Sequence, residues 1–259
     1  MGQRTGIEWT DATWNPVTGC TQVSTGCDNC YARTLAHRLL SGHYLGRAPA
    51  RATAATRIDP FAVRLWPERL SEPFSWRGTR RVFVNSMSDL FHADIPEPFV
   101  HRVFEVMLAT PRHTYQILTK RPARLARFVR RNKALFAGGA IPAHIWVGAS
   151  VENQAVAHRV KQLADVPAAT RFLSCEPLLG PLDLLLGGIH WVIVGGESGV
   201  VHRPLDLAWV RGIRDQCAGA RVAFFFKQVG GRTPKAGGRL LDGREWSEYP
   251  DTHSLRASA

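Results

Sequence analysis

Arg81-Val-Phe-Val-Asn-Ser-Met87, followed at a helix's distance by Thr114-Tyr-Gln-Ile-Leu-Thr-Lys120, is the stretch that decides the fold. Each run is short, apolar and rich in β-branched or aromatic residues, and each turns polar at its end. Between them, Phe99, Val103, Phe104 and Met107 recur at helical spacing over 96–110. Two strands joined by a helix make a parallel β/α unit, because a parallel pair needs a long crossover. The rhythm continues with strands expected over 145–150, 170–175, 189–194 and 221–227. Helices are expected over 122–136, 153–164 and 207–218, the first opened by Pro122. A short strand over 6–13 and a helix over 31–40 precede the series. About seven such units in a chain of this length fit an α/β fold, a partial or complete TIM-like (β/α) barrel. No Gly-x-Gly-x-x-Gly follows the first strand, which argues against a dinucleotide-binding doubly wound sheet.

The 259 residues, 45% of them hydrophobic, are read as one barrel domain over 1–259. Residues 42–80 are rich in Gly, Pro, Arg and Ala and read as an irregular insert. Residues 238–249 read as a hairpin around Asp242-Gly243, and the last ten residues as frayed. No apolar run is long enough to cross a membrane, and the N-terminus lacks the apolar core of a signal peptide. The expected location is the cytoplasm, where thiols stay reduced. The net charge is +12. A polyanionic partner and an Arg-rich composition explain it equally well. Arg124, Arg127, Arg130 and Arg131 form a basic stripe on the helix after Pro122, fit for phosphates or simply for water.

Outward from the strands, one loop stands apart. Trp14-Asn-Pro-Val-Thr-Gly-Cys20-Thr-Gln-Val-Ser-Thr-Gly-Cys27-Asp-Asn-Cys30-Tyr31 holds three of the five cysteines, spaced C-x6-C-x2-C. Three thiolates are one short of a closed structural zinc site and leave a coordination position open. An odd count in a chain without a secretory signal argues for metal or redox chemistry over a disulfide framework.

The ends of the strands carry the remaining candidates. They read Asn85-Ser86-Met87-Ser88-Asp89, Thr119-Lys120-Arg121, Ser150-Val151-Glu152-Asn153, Ser174-Cys175-Glu176, Gly195-Gly196-Glu197-Ser198 and Lys227-Gln228. In a β/α barrel such ends form the rim on which active sites sit. Glu152, Glu176 and Glu197 suit an amine, a proton or a metal; Glu152 equally suits a helix N-terminus. Cys175 is a fourth ligand, a hydrogen donor or an inert buried thiol.

Together, the cysteine motif and the runs Val84-Asn-Ser-Met-Ser-Asp-Leu-Phe91, Gln116-Ile-Leu-Thr-Lys-Arg-Pro122, Gly148-Ala-Ser-Val-Glu-Asn153, Leu173-Ser-Cys-Glu-Pro-Leu178, Val194-Gly-Gly-Glu-Ser-Gly199, Phe226-Lys-Gln-Val-Gly-Gly231 and Leu241-Asp-Gly-Arg-Glu-Trp246 resemble one family. It is the phage-associated three-Cys-motif family, of unknown function, which in turn is similar to the radical SAM superfamily. The resemblance implies a barrel of the radical SAM type, with a 4Fe–4S cluster on Cys20, Cys27 and Cys30. It implies S-adenosyl-L-methionine on the fourth iron, cleaved by a reductant to a 5′-deoxyadenosyl radical. By position, Ser86, Ser88, Asp89, Ser150, Glu152, Gly195, Gly196 and Glu197 fall to the cofactor, and Lys120, Cys175 and Glu176 to catalysis. The spacing departs from the superfamily's C-x3-C-x2-C, and Gly-Gly-Glu stands after a late strand instead of the second.

The implied setting is a bacterial host cell, with a nucleic acid or nucleotide as substrate and a phage-encoded partner protein. Two alternatives stay open. One is a zinc-binding nucleic-acid-binding protein, its fourth ligand Cys175 or His92. The other is an inactive barrel that works through a partner.

Overall fold

The structure, a computed structural model, describes residues 5–251. It has the α/β architecture expected, a seven-stranded parallel sheet in β/α succession. Its backbone contacts fall into two compact units. The first takes in the chain up to Val23 and Cys30–Thr119; the second takes in Ser24–Asn29 and the chain from Lys120 on.

In the first unit, β1 (Ala12–Trp14) is followed by β2 (Val17–Thr18), α1 (Tyr31–Arg38), α2 (Ser41–Leu45), α3 (Ala54–Ile58), β3 (Arg64–Leu65), α4 (Glu72–Ser75), β4 (Arg81–Val84), α5 (Glu97–Ala109) and β5 (Thr114–Thr119). The parallel strands lie in the order β1-β4-β5, with Thr13 opposite Phe83 and Val82 opposite Tyr115. Val82, Val84, Tyr115 and Ile117 are fully buried, as expected where helices cover a parallel sheet. The apolar face of α5 (Phe99, Val103, Phe104, Met107) is buried as its periodicity predicts.

The second unit has α6 (Pro122–Arg131), β6 (Ile141–Ser150), α7 (His158–Ala164), β7 (Ala168–Cys175), β8 (Trp191–Gly195), α8 (Leu207–Ala220) and β9 (Ala223–Gln228). Strand order is β6-β7-β8-β9, with Gly148 opposite Phe172, Leu173 opposite Val192 and Val192 opposite Phe224. In each unit the order follows the chain without reversal, the winding of a β/α barrel and not of a doubly wound sheet. Helix α6 stops at Arg131, short of the expected 136, and two 3-10 turns follow it. Helix α7 starts at His158 because residues 154–156 form a 3-10 turn.

The 42–80 segment is more ordered than its composition suggests. β3 pairs antiparallel with β2. The Arg64 side chain is fully buried and donates to the carbonyls of Arg47, Asp59 and Ala62, each at 2.9 Å. A buried charge is tolerable only with such partners, so the segment wraps around this guanidinium. In the tail, Asp242 and Gly243 both have positive φ, with one antiparallel bridge between Leu241 and Arg244. This is the tight turn that Asp-Gly favours. The expected fraying falls mainly on 252–259, outside the described residues.

Candidate functional site

Two of the three loop cysteines belong to the first unit. Cys20 and Cys30 pack against a small core of Ala32, Ala36, Tyr44, Phe61, Trp66 and Met87. Half of that core, Tyr44, Phe61 and Trp66, comes from the 42–80 segment. Trp66 donates to Thr18 Oγ1 at 2.8 Å, and Arg47 and Arg69 each lie over its ring. The Cys20 N–H donates to Phe61 O at 3.0 Å. Before it, Gly19 has φ +85°, and a Cβ there would lie 2.1 Å from the Ala62 carbonyl oxygen. No other residue fits that approach.

Ser86 and Ser88 grip the approach to this loop, while Asp89 ties the end of β4 to β5. Ser86 Oγ and the Asn15 amide hydrogen-bond each other, and the Met87 N–H donates to Asn15 Oδ1 at 2.9 Å. Ser88 Oγ donates to Val17 O at 3.0 Å. The Tyr31 hydroxyl donates to Ser86 O. Asp89 Oδ1 accepts from Phe91 N at 2.9 Å and Thr119 Oγ1 at 2.7 Å. Sequence reasoning places these three side chains next to a cofactor; the structure gives each a partner within the chain. His92 has both ring nitrogens engaged, Nε2 with Thr21 Oγ1 at 2.8 Å and Nδ1 with the Asp94 N–H at 3.1 Å. Since Nδ1 accepts, the proton sits on Nε2.

The third cysteine, Cys27, sits in a 3-10 turn over Thr25–Cys27 and belongs with the second unit. Its neighbours hang on the ends of β6 and β8. The Gly26 N–H faces Glu152 Oε1 at 3.4 Å, and Asn153 Nδ2 donates to Thr25 Oγ1 at 3.1 Å. Asn29 Nδ2 donates to Glu197 Oε2 at 2.9 Å. Arg203 donates to Glu197 through its backbone N and Nε, both at 2.9 Å, and through Nη2 at 2.5 Å. The same guanidinium reaches Asp28 Oδ2 at 3.2 Å and Thr25 O at 3.0 Å.

Electrostatics match this use. Glu152 is fully buried; Arg159 Nη1 lies 3.0 Å and Lys120 Nζ 3.6 Å from its Oε2. Arg159 Nη1 also donates to Ser150 O at 3.0 Å. Burial pushes the Glu152 carboxyl up, but Lys120, the Ser24 hydroxyl and Arg159 together hold it below its usual range. Glu197 is shifted the same way: burial raises it, while Arg203 and Asn29 more than reverse the effect.

The other strand-end residues form a separate set. Glu176 pairs with Lys227 at 2.9 Å and accepts from Ser174 Oγ at 3.2 Å. Gly195 packs against its carboxylate, and Gly196 faces the Val229 carbonyl with no room for a side chain. Cys175 is fully buried, and burial pushes its thiol well above the usual value. Burial pushes Cys217 up to about 12. Both are buried, whereas Cys20, Cys27 and Cys30 are partly exposed, and none of the five is in a disulfide.

By its chemistry, the donor set of the loop fits a three-thiolate centre with one open position. Among the described residues, no group of three or more His, Cys, Asp or Glu side chains is gathered closely enough to hold a metal ion. Arg203 is the residue that sequence reading missed. It lies in an irregular segment with no motif, and its only signal is a guanidinium a few residues after Gly-Gly-Glu.

The family model that matches spans residues 4–250. The chain belongs to the family described as "Protein of unknown function (DUF5131)". No curated protein matches it. Two solved structures resemble it distantly. A spore photoproduct lyase double mutant with bound AdoMet and dinucleoside spore photoproduct is 11% identical at a TM-score of 0.42, covering 78% of this chain and 59% of that one. Spore photoproduct lyase complexed with dinucleoside spore photoproduct is 13% identical at 0.42, covering 95% and 70%. The chain thus spans less than two thirds of the length of the first.

Proposed function

We propose that this chain is an iron–sulfur enzyme of the radical SAM type, built as one barrel domain. The carrying observation is the division among its five cysteines. Cys175 and Cys217 are buried, while Cys20, Cys27 and Cys30 are partly exposed and on one loop. On this reading those three thiolates hold a 4Fe–4S cluster, which supplies the electron that cleaves S-adenosyl-L-methionine. Phe61, Trp66 and Met87 belong to the apolar core on which Cys20 and Cys30 pack. Ser86, Ser88, Asp89, Ser150, Glu152, Gly195, Gly196 and Glu197 shape the cofactor's surroundings, several of them through the loop. Lys120, Cys175 and Glu176 are the candidates on the substrate side; Cys175 carries the proton that a hydrogen donor needs. The likeness to phage proteins, a cytoplasmic setting in a bacterial host, and a reductant and partner protein belong to the same proposal. Among the described residues, no helix is long and apolar enough to cross a membrane.

A nucleic acid or nucleotide is the proposed substrate. Helix α6 supports it: Arg127, Arg130 and Arg131 are exposed opposite the buried Leu125, Phe128 and Val129. No acidic residue occurs from 120 to 133.

The test is anaerobic reconstitution with iron and sulfide, followed by reduction in the presence of S-adenosyl-L-methionine. Wild type is expected to bind iron and sulfide and release 5′-deoxyadenosine, and Cys27→Ala to release none. Anaerobically purified protein holding one zinc and no sulfide would overturn the proposal in favour of a zinc protein. Bound iron–sulfur without cleavage would favour an inactive barrel.

A further inference from the structure

We infer that Arg203 is the positioning residue of the Cys27 thiol, acting through the backbone of residues 24–29. Cys27 does not hold its own place through its backbone N–H alone, which donates to Ser24 O at 2.9 Å within the same turn. Its neighbours do. Thr25, Gly26, Asp28 and Asn29 each bond to a residue at or beyond the end of β6 or β8. Arg203 joins the two sides of this arrangement. Three of its N–H groups hold Glu197, and two N–H contacts reach the loop on either side of Cys27, at Thr25 O and Asp28.

The geometry suits arginine in particular. A planar fork serves a carboxylate on one edge while its outer nitrogens reach a carbonyl and a second carboxylate. Lysine offers a point charge and satisfies one side at a time. Glu197 completes the device from the other end, because its Oε2 also accepts from Asn29 Nδ2 at 2.9 Å. The clamp thus brackets Cys27 at Thr25 and at Asp28-Asn29. The role of that thiol as a metal ligand rests on the function proposed above; its placement by Arg203 does not.

The test reads the thiols separately in metal-free, reduced, full-length protein. Alkylation by iodoacetamide is followed by peptide mass spectrometry, with Cys20 and Cys30 as internal controls. Losing charge-assisted hydrogen bonds of this kind is expected to raise Cys27 labelling about tenfold in Arg203→Ala. Labelling of Cys20 and Cys30 is expected to stay within about twofold, because local opening leaves other parts of a fold protected. Arg203→Lys is expected between wild type and Arg203→Ala, and Glu197→Gln is expected to raise Cys27 labelling as well. Three results overturn the inference: unchanged Cys27 labelling in Arg203→Ala, an equal rise at all three cysteines, or an Arg203→Lys rate equal to wild type. Iron content after reconstitution is measured on the same variants. If wild type binds no iron, the proposed function fails and the labelling result still stands.

Discussion

The chain around Cys20 and Cys30 packs on Phe61, Trp66 and Met87, whereas the chain around Cys27 hangs on Glu152, Glu197 and Arg203. One loop is therefore held by two kinds of force. Apolar packing is insensitive to salt and acid but sensitive to volume. Charged hydrogen bonds answer to both pH and ionic strength. The difference teaches that the three thiols, though eleven residues from first to last, can be disturbed one group at a time.

The strongest attempt to break this comparison is Trp66→Ala. Removing a buried Trp is expected to cost about 3–5 kcal/mol, read as a lower urea midpoint. Labelling of Cys20 and Cys30 should rise while that of Cys27 holds. A rise of equal size at Cys27 would show that the two supports are one. Next is Arg159→Met, which leaves Glu152 buried with Lys120 Nζ 3.6 Å from its carboxylate and without its closer ionic partner. The expected cost is about 3 kcal/mol, the low end for breaking a buried pair, and the thiol affected should be Cys27.

Acid sharpens the contrast further. Glu197 has its folded pKa lowered, so its contribution is present above the ordinary carboxylate value and lost as pH falls through the lowered one. The urea midpoint of wild type should therefore drop between about pH 5 and 3, and Glu197→Gln should show a shallower drop. The smallest effect is that of salt. Arg203 and Asp28 are partly exposed, so about 1 M NaCl should speed Cys27 labelling by less than about twofold. Cys20 and Cys30 should not respond.

The sequence carried the strands because each is a contiguous apolar run, and a run is a local property. It also carried the grouping of polar residues at strand ends. It did not carry what those residues touch. Asn15 reaches Ser86 across 71 positions and Asn29 reaches Glu197 across 168, and no spacing rule links such distant positions. The 42–80 segment was illegible for another reason. Its helices are four or five residues long, too short for a hydrophobic period to form. Its organiser, Arg64, is a charged residue in the least expected place, fully buried. The helix ends at Arg131 and His158 were blurred because 3-10 turns extend the same residue pattern.

The Arg203–Asp28 contact joins residues 175 positions apart. On a chain emerging at about 5–20 residues per second, that separation is roughly 9–35 s of synthesis. Phe61 and Trp66 leave the ribosome soon after Cys30, so Cys20 and Cys30 meet their support early in that interval. The turn holding Cys27 meets Glu152 and Asn153 only past the middle of the chain, and Glu197 and Arg203 only in its last quarter. During birth Cys27 is the thiol most open to stray oxidants and metals, and its protection is the last of the three to arrive.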